Sequence, residues 1–89
     1  LAALFRLSIL TPERTVFEGE VQYLEAPGTE GYFGVLAHHA AMVTGLATGT
    51  LTVRGATGTE ERWHVAGGFF EVSGNAATVL ADAAGPAKG

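Results

Sequence analysis

The side chains best suited to nucleophilic or metal chemistry in this sequence are His38, His39 and His64, Ser8 and Ser73, and Asp82. Serine, histidine and a carboxylate together are the ingredients of acyl transfer, but that chemistry needs the serine presented on a strained turn beside its base. Neither serine sits in such a sequence, so no catalytic residue is assigned. The histidines raise the question of a metal, for which three or four convergent ligands are needed. In an extended segment the adjacent His38 and His39 would point to opposite faces, which makes joint chelation awkward. His64, next to Glu60 and Glu61 in the strand sequence, is equally well explained as a solvated side chain. A small-ligand or metal-binding β-barrel using His38, His39 and His64 therefore remains the alternative rather than the leading account. No glycine run is followed by Lys-Ser or Lys-Thr between a strand and a helix, so no phosphate loop and no cofactor site is assigned.

The segment with the most unusual content runs from Glu30 to Thr44, where paired glycines, adjacent aromatics and adjacent histidines fall close together. Of Tyr32 and Phe33, an alternating strand sends one ring inward and the other outward. An exposed aromatic beside the low-charge stretch Val35 to Val43 suits a protein interface. For His39, a ring that packs and hydrogen-bonds near a bend is compatible with a place in such an interface.

Composition narrows the classes. A chain of 89 residues makes one small domain with a single core. At 47% hydrophobic and 16% charged it has the composition of a compact globule rather than a disordered segment. The absence of cysteine removes disulfides and thiolate chemistry. A net charge of −4, with Arg6, Arg14, Arg54, Arg62 and Lys88 scattered, argues against a nucleic-acid partner. No apolar run approaches the roughly 20 residues that span a membrane, and Leu1 to Leu4 is too short for a signal peptide. A first residue of Leu suggests an initiator Met trimmed or left out.

The elements that must position these residues are strands. Phe5, Leu7 and Ile9 alternate with polar residues and share one buried face. Thr11-Pro12-Glu13 turns the chain into a short strand over Thr15 to Phe17, Glu18-Gly19-Glu20 turns it again, and Val21 to Glu25 forms a third strand. Pro27-Gly28 carries a turn signal. Tyr32 to Leu36 is a strand interrupted by glycine, and Ala40 to Thr44 is extended. Thr50 to Arg54 buries Leu51 and Val53, Gly55 to Gly58 is a hairpin loop, and Glu61 to Val65 turns Trp63 and Val65 inward with Arg62 and His64 opposite. Gly67-Gly68 breaks that strand and Phe69 to Val72 resumes it. Ser73-Gly74-Asn75 is a turn and Thr78 to Ala81 the last strand. Gly85 to Gly89 has the composition of a loose tail. Eight to ten short strands with no convincing helix make the fold class all-β, with two packed sheets or a flattened barrel as the way to cover both faces.

In order and spacing, several pieces of this sequence resemble one family: Thr11-Pro12-Glu13; Phe17-Glu18-Gly19-Glu20-Val21; Ala26 to Gly31; Gly34-Val35-Leu36 followed by His39-Ala40; Leu46 with Gly49; Gly67-Gly68-Phe69 with Glu71-Val72; and Thr78 to Asp82. The chain resembles the N-terminal β-sandwich of the epsilon subunit of the F-type ATP synthase, counterpart of the mitochondrial delta subunit. The resemblance implies a flattened ten-stranded sandwich over residues 1–84, followed by a tail over 85–89. It implies a non-catalytic rotor subunit in the central stalk, on the cytoplasmic face of the bacterial inner membrane, which couples the gamma subunit to the c-ring during ion-driven ATP synthesis. By position, Thr11, His39, Met42 and Thr44 would lie on or near the gamma-facing side, and Glu30, Gly31 and Tyr32 at the c-ring end. Two departures fall in the same stretch. The family's usual Leu-Pro-Gly-His-Ala-Pro run stands here as Leu36-Ala37-His38-His39-Ala40-Ala41, and the often acidic position after Gly31 is Tyr32. Losing prolines raises the entropy of the unfolded loop, so greater mobility is expected at this corner. Relatives commonly continue into a C-terminal helical hairpin associated with inhibition of hydrolysis and, in some bacteria, with ATP binding. This sequence stops about where that hairpin would begin, as a naturally short form or as a truncation near Asp82-Ala83-Ala84. In either case neither property is assigned to these residues.

Overall fold

Burial follows the alternation closely enough to turn most of the expected segments into strands. The computed structural model describes residues 3–87; residues 1–2 of the apolar start and 88–89 of the expected tail lie outside them. The chain runs β1 (Phe5–Leu10), β2 (Thr15–Gly28), β3 (Gly31–Val35), β4 (Met42–Leu46), β5 (Gly49–Gly55), β6 (Glu60–Val65), β7 (Gly68–Ser73), β8 (Ala76–Ala81) and β9 (Ala84–Pro86). No helix occurs among the described residues. Phe5, Leu7 and Ile9 are buried on β1, Leu51 and Val53 on β5, and Val65 on β6 with Trp63 packed against the same core.

The two short strands expected around Glu18-Gly19-Glu20 are one strand, β2, of 14 residues. The charged pair does not turn the chain because it has polar partners across the ladder. Glu18 lies opposite Ser8 and Glu20 opposite Arg6, and Glu18 takes a hydrogen bond from Ser8 Oγ at 3.3 Å and an ion pair from Arg6 at 3.6 Å. Pro27-Gly28 is likewise not the turn but the end of β2, paired with Tyr32 and Gly31. The bend falls at Thr29 and Glu30 instead. Gly28 is required by proximity, since a Cβ there would meet the Gly31 carbonyl oxygen at 2.7 Å. Gly85 and Pro86, expected in a loose tail, pair with His64 and Trp63 as part of β9. The described residues thus hold nine strands where ten were expected.

The strands form two layers that share β2. Its first half pairs with β1, which lies parallel to β8, followed by β7 and β4; its second half lies between β3 and β5, followed by β6 and β9. Leu46 of β4 returns to Gly28 at the end of β2, closing a flattened barrel. Between the layers, Phe17 packs on Trp63 with ring centroids 5.6 Å apart, and Phe33 on Phe70 at 5.1 Å. Burying one Leu or Phe contributes about 1.5–3 kcal/mol, whereas an exposed ion pair such as Arg62–Glu60 contributes at most about 1 kcal/mol. The apolar core, in which no charged or polar side chain of the described residues is buried, therefore decides the fold.

Candidate functional site

The β2–β3 hairpin carries Glu30, Gly31 and Tyr32 at its tip. Gly31 adopts φ 121°, a value that favours glycine and lets the strand return after only two connecting residues. Tyr32 and Phe33 divide as alternation requires: Phe33 turns inward onto Phe70, and Tyr32 is 57% exposed. The Tyr32 hydroxyl is nevertheless tied down, accepting the Thr50 N–H at 3.0 Å. Gly49 makes room for it, because a Cβ there would meet the Tyr32 hydroxyl at 2.6 Å and Pro27 Cβ at 2.8 Å. The ring is a latch across the start of β5 as well as a surface.

Beyond β3 the chain does not stay extended through the histidines. Leu36 to His39 form a β-turn closed by His39 N–H donating to Leu36 O at 3.3 Å, and His38 sits at φ 64°. A positive φ at the third position is the mark of a type II turn, a place that favours glycine. His38 is exposed, and its N–H donates to Asn75 Oδ1 at 2.7 Å. His39 is half-buried with Nδ1 2.7 Å from the Ala40 carbonyl oxygen. A carbonyl only accepts, so Nδ1 carries the hydrogen of that bond. His64 lies on β6 opposite Thr50 and Gly85, exposed and on a different element. Among the described residues no three His, Asp or Glu side chains are grouped to hold a metal ion.

On β4, Met42 and Thr44 are half-buried, Met42 against the core, while Val43 between them is 71% exposed. Thr11 opens the β1–β2 turn, its N–H donating to Arg14 O at 2.9 Å and its Oγ1 accepting the Arg14 N–H at 3.3 Å. The two expected sets of contact residues partly merge, because Glu30, Gly31 and Tyr32 line one shallow hollow together with Met42 and Thr44. Thr11 lines another with Leu10, Phe69 and Leu80. His39 lines neither.

Sequence reasoning missed the apolar row on the outer face of the β4–β7–β8–β1 layer. Phe69 (62% exposed) lies opposite Leu80 (46% exposed), Leu80 opposite Leu10, and Val43 one step diagonally from Phe69. The signal was present: once Phe70, Val72, Val79 and Ala81 take the inner face, alternation puts Phe69 and Leu80 outside, at positions where a solvated sheet carries polar residues.

Residues 4–87 match the family described as ATP synthase, Delta/Epsilon chain, beta-sandwich domain. Among curated relatives, the ATP synthase epsilon chain of Syntrophomonas wolfei is 41% identical over 80 residues, which are 90% of this chain and 58% of the relative. That of Nitrobacter winogradskyi is 48% identical over 82 residues, 92% of this chain and 60% of the relative. The chain thus spans less than two thirds of the length of these relatives. Among solved structures, a chain of the Euglena gracilis mitochondrial ATP synthase (OSCP/F1/c-ring) superposes with a TM-score of 0.89 at 26% identity, covering 97% of this chain and 55% of that one. A chain of the Tetrahymena thermophila mitochondrial ATP synthase (central stalk/c-ring) gives a TM-score of 0.79 at 14% identity, covering 96% and 68%, a likeness of fold.

Proposed function

This chain belongs to the ATP synthase delta/epsilon β-sandwich family, and on that footing we propose that it is part of a non-catalytic central-stalk subunit that couples the gamma subunit to the membrane c-ring during ion-driven ATP synthesis. The observation that carries the gamma contact is the outer apolar row Leu10, Leu80, Phe69 and Val43, flanked by Thr11. An apolar stripe on the outside of a small sheet is stabilised by being covered, and large aromatic and aliphatic side chains supply most of the energy in such interfaces. The β2–β3 tip, with Glu30, Gly31 and Tyr32, is the c-ring end, where a latched hairpin presents polar backbone and one carboxylate to polar loops. His39, Met42 and Thr44 support the gamma side by holding the β3–β4 connection and β4 in place. The subunit works peripherally on the cytoplasmic face of the bacterial inner membrane and turns with the stalk while catalysis proceeds in other subunits.

Calorimetric titration with purified gamma subunit tests this. Association is expected, weakened more by His39→Ala than by His64→Ala, because His64 lies on β6 in the other layer. A protein that stays unassociated at micromolar gamma would overturn the proposed partner, and equal affinities of the two variants would take His39 out of the interface.

A further inference from the structure

The turn that carries His38 and His39 is held from outside itself. Its own closing bond, His39 N–H to Leu36 O, is long at 3.3 Å, and neither a proline at Ala37 nor a glycine at His38 sets its backbone. The short contact is with Asn75, 37 residues away in the chain, whose Oδ1 accepts the His38 N–H at 2.7 Å. The same amide group donates through Nδ2 to Leu4 O at 2.9 Å, and the Asn75 carbonyl accepts the Arg6 N–H at 3.1 Å. Asn75 is thereby the meeting point of three segments: the residues leading into β1, the β7–β8 turn and the β3–β4 connection.

Its own backbone explains why the side chain is so placed. Gly74 and Asn75 connect β7 to β8 in a two-residue turn with φ 58° and 61°, the left-handed pair of a type I′ hairpin. Asparagine tolerates that region, and it offers both an acceptor and a donor on one short stem. Aspartate keeps an acceptor without the donor. Glycine keeps the turn and loses both.

We propose that Asn75 is the positioning residue of the partner-facing turn: its Oδ1 fixes the left-handed His38 and so presents His39, while Nδ2 registers that turn against the start of β1. The effect on the partner rests on the gamma contact proposed above; the effect on the turn does not. Asn75 need touch no partner to act this way.

The test compares Asn75→Gly, Asn75→Asp and the double variant Asn75→Gly/His38→Gly with the parent protein, by amide hydrogen exchange and by gamma affinity. In Asn75→Gly the His38 and His39 amides are expected to exchange at least about tenfold faster while the β5 amides change little, as a local opening requires. Gamma affinity should fall about fivefold to tenfold, the scale of one hydrogen bond. Asn75→Asp retains the acceptor for the His38 N–H but sets a carboxylate oxygen where Nδ2 donates to Leu4 O, so its affinity should fall between those of the parent and Asn75→Gly. His38→Gly in the Asn75→Gly background should recover part of the affinity, since glycine adopts the left-handed conformation without the Oδ1 tie while the Nδ2 bond to Leu4 O stays lost; a merely structural lesion would not be repaired there. Unchanged exchange at His38 in Asn75→Gly overturns the proposal whether or not gamma binds. Faster exchange with unchanged gamma affinity overturns the positioning role, and failure of the parent protein itself to bind gamma counts against the partner, with exchange still deciding the tie.

Discussion

His38 holds a backbone conformation that costs a residue with a side chain about 1–2 kcal/mol, and it does so in a turn where glycine would be free of that cost. His38→Gly is therefore expected to stabilise the protein by about 0.5–1 kcal/mol, the relief of strain being partly offset by the larger entropy of glycine in the unfolded chain. A shift of the urea midpoint to higher concentration at unchanged slope would show it. The opposite holds at Gly68, where φ is 121° and a Cβ would collide with the Leu80 carbonyl and lie 2.9 Å from Ala81 Cα. Gly68→Ala should cost about 3 kcal/mol or more, because backbone rather than a flexible side chain must give way; thermal unfolding measures it. The histidines divide between the β3–β4 connection and β6, so titration with zinc should show no stoichiometric binding by calorimetry. A saturable heat at one zinc per chain would bring the metal-binding alternative back.

At the scale of elements, the two faces of β7 make different demands on neighbouring residues. Phe70 is fully buried against Phe33, and Phe69 is mostly in solvent beside Leu80. Phe70→Ala should destabilise by about 3–5 kcal/mol. Phe69→Ala should cost no more than about 1 kcal/mol, the worth of a cross-strand pair, yet weaken gamma binding by about 2 kcal/mol or more if the apolar row is the docking face. Denaturation and calorimetry on the same two variants separate the roles, and a Phe69→Ala protein with parental affinity would remove the row from the interface. The inner faces of these strands were legible in the sequence because burial imposes a period of two that a single segment displays by itself. The continuity of β2 was not, since what holds Glu18-Gly19-Glu20 in a ladder is Ser8 and Arg6 on another strand. Nor was the short β9, whose partner β6 lies about twenty residues earlier in the chain. The candidate contact residues Thr11, His39, Met42 and Thr44, and Glu30 to Tyr32, came from family resemblance; the left-handed His38 and its tie to Asn75 left no local mark.

For the whole molecule, the pairings are dominated by partners distant in sequence, including the parallel β1–β8 ladder and the return of β4 to β2. Such topologies fold in about milliseconds to seconds because loop closure precedes the contacts that compensate it. Trp63, the sole tryptophan, rests on Phe17 between the layers, so its fluorescence in stopped-flow refolding reports closure directly; completion in under about 100 microseconds would contradict this account. The shared strand has a further consequence. Fully extended, the 14 residues of β2 would reach about 43 Å, more than the molecule's longest extent of 32 Å. The strand must therefore bend, and its register against β5 shifts between Val21 and Tyr23. Two layers joined only by interlocking side chains could creep past each other under torque. Here any load taken at the hairpin tip enters a covalent backbone that continues into the opposite layer, so the sandwich resists as a single torsion element. In the rotating stalk proposed above, that is the difference between a joint with play and one without it.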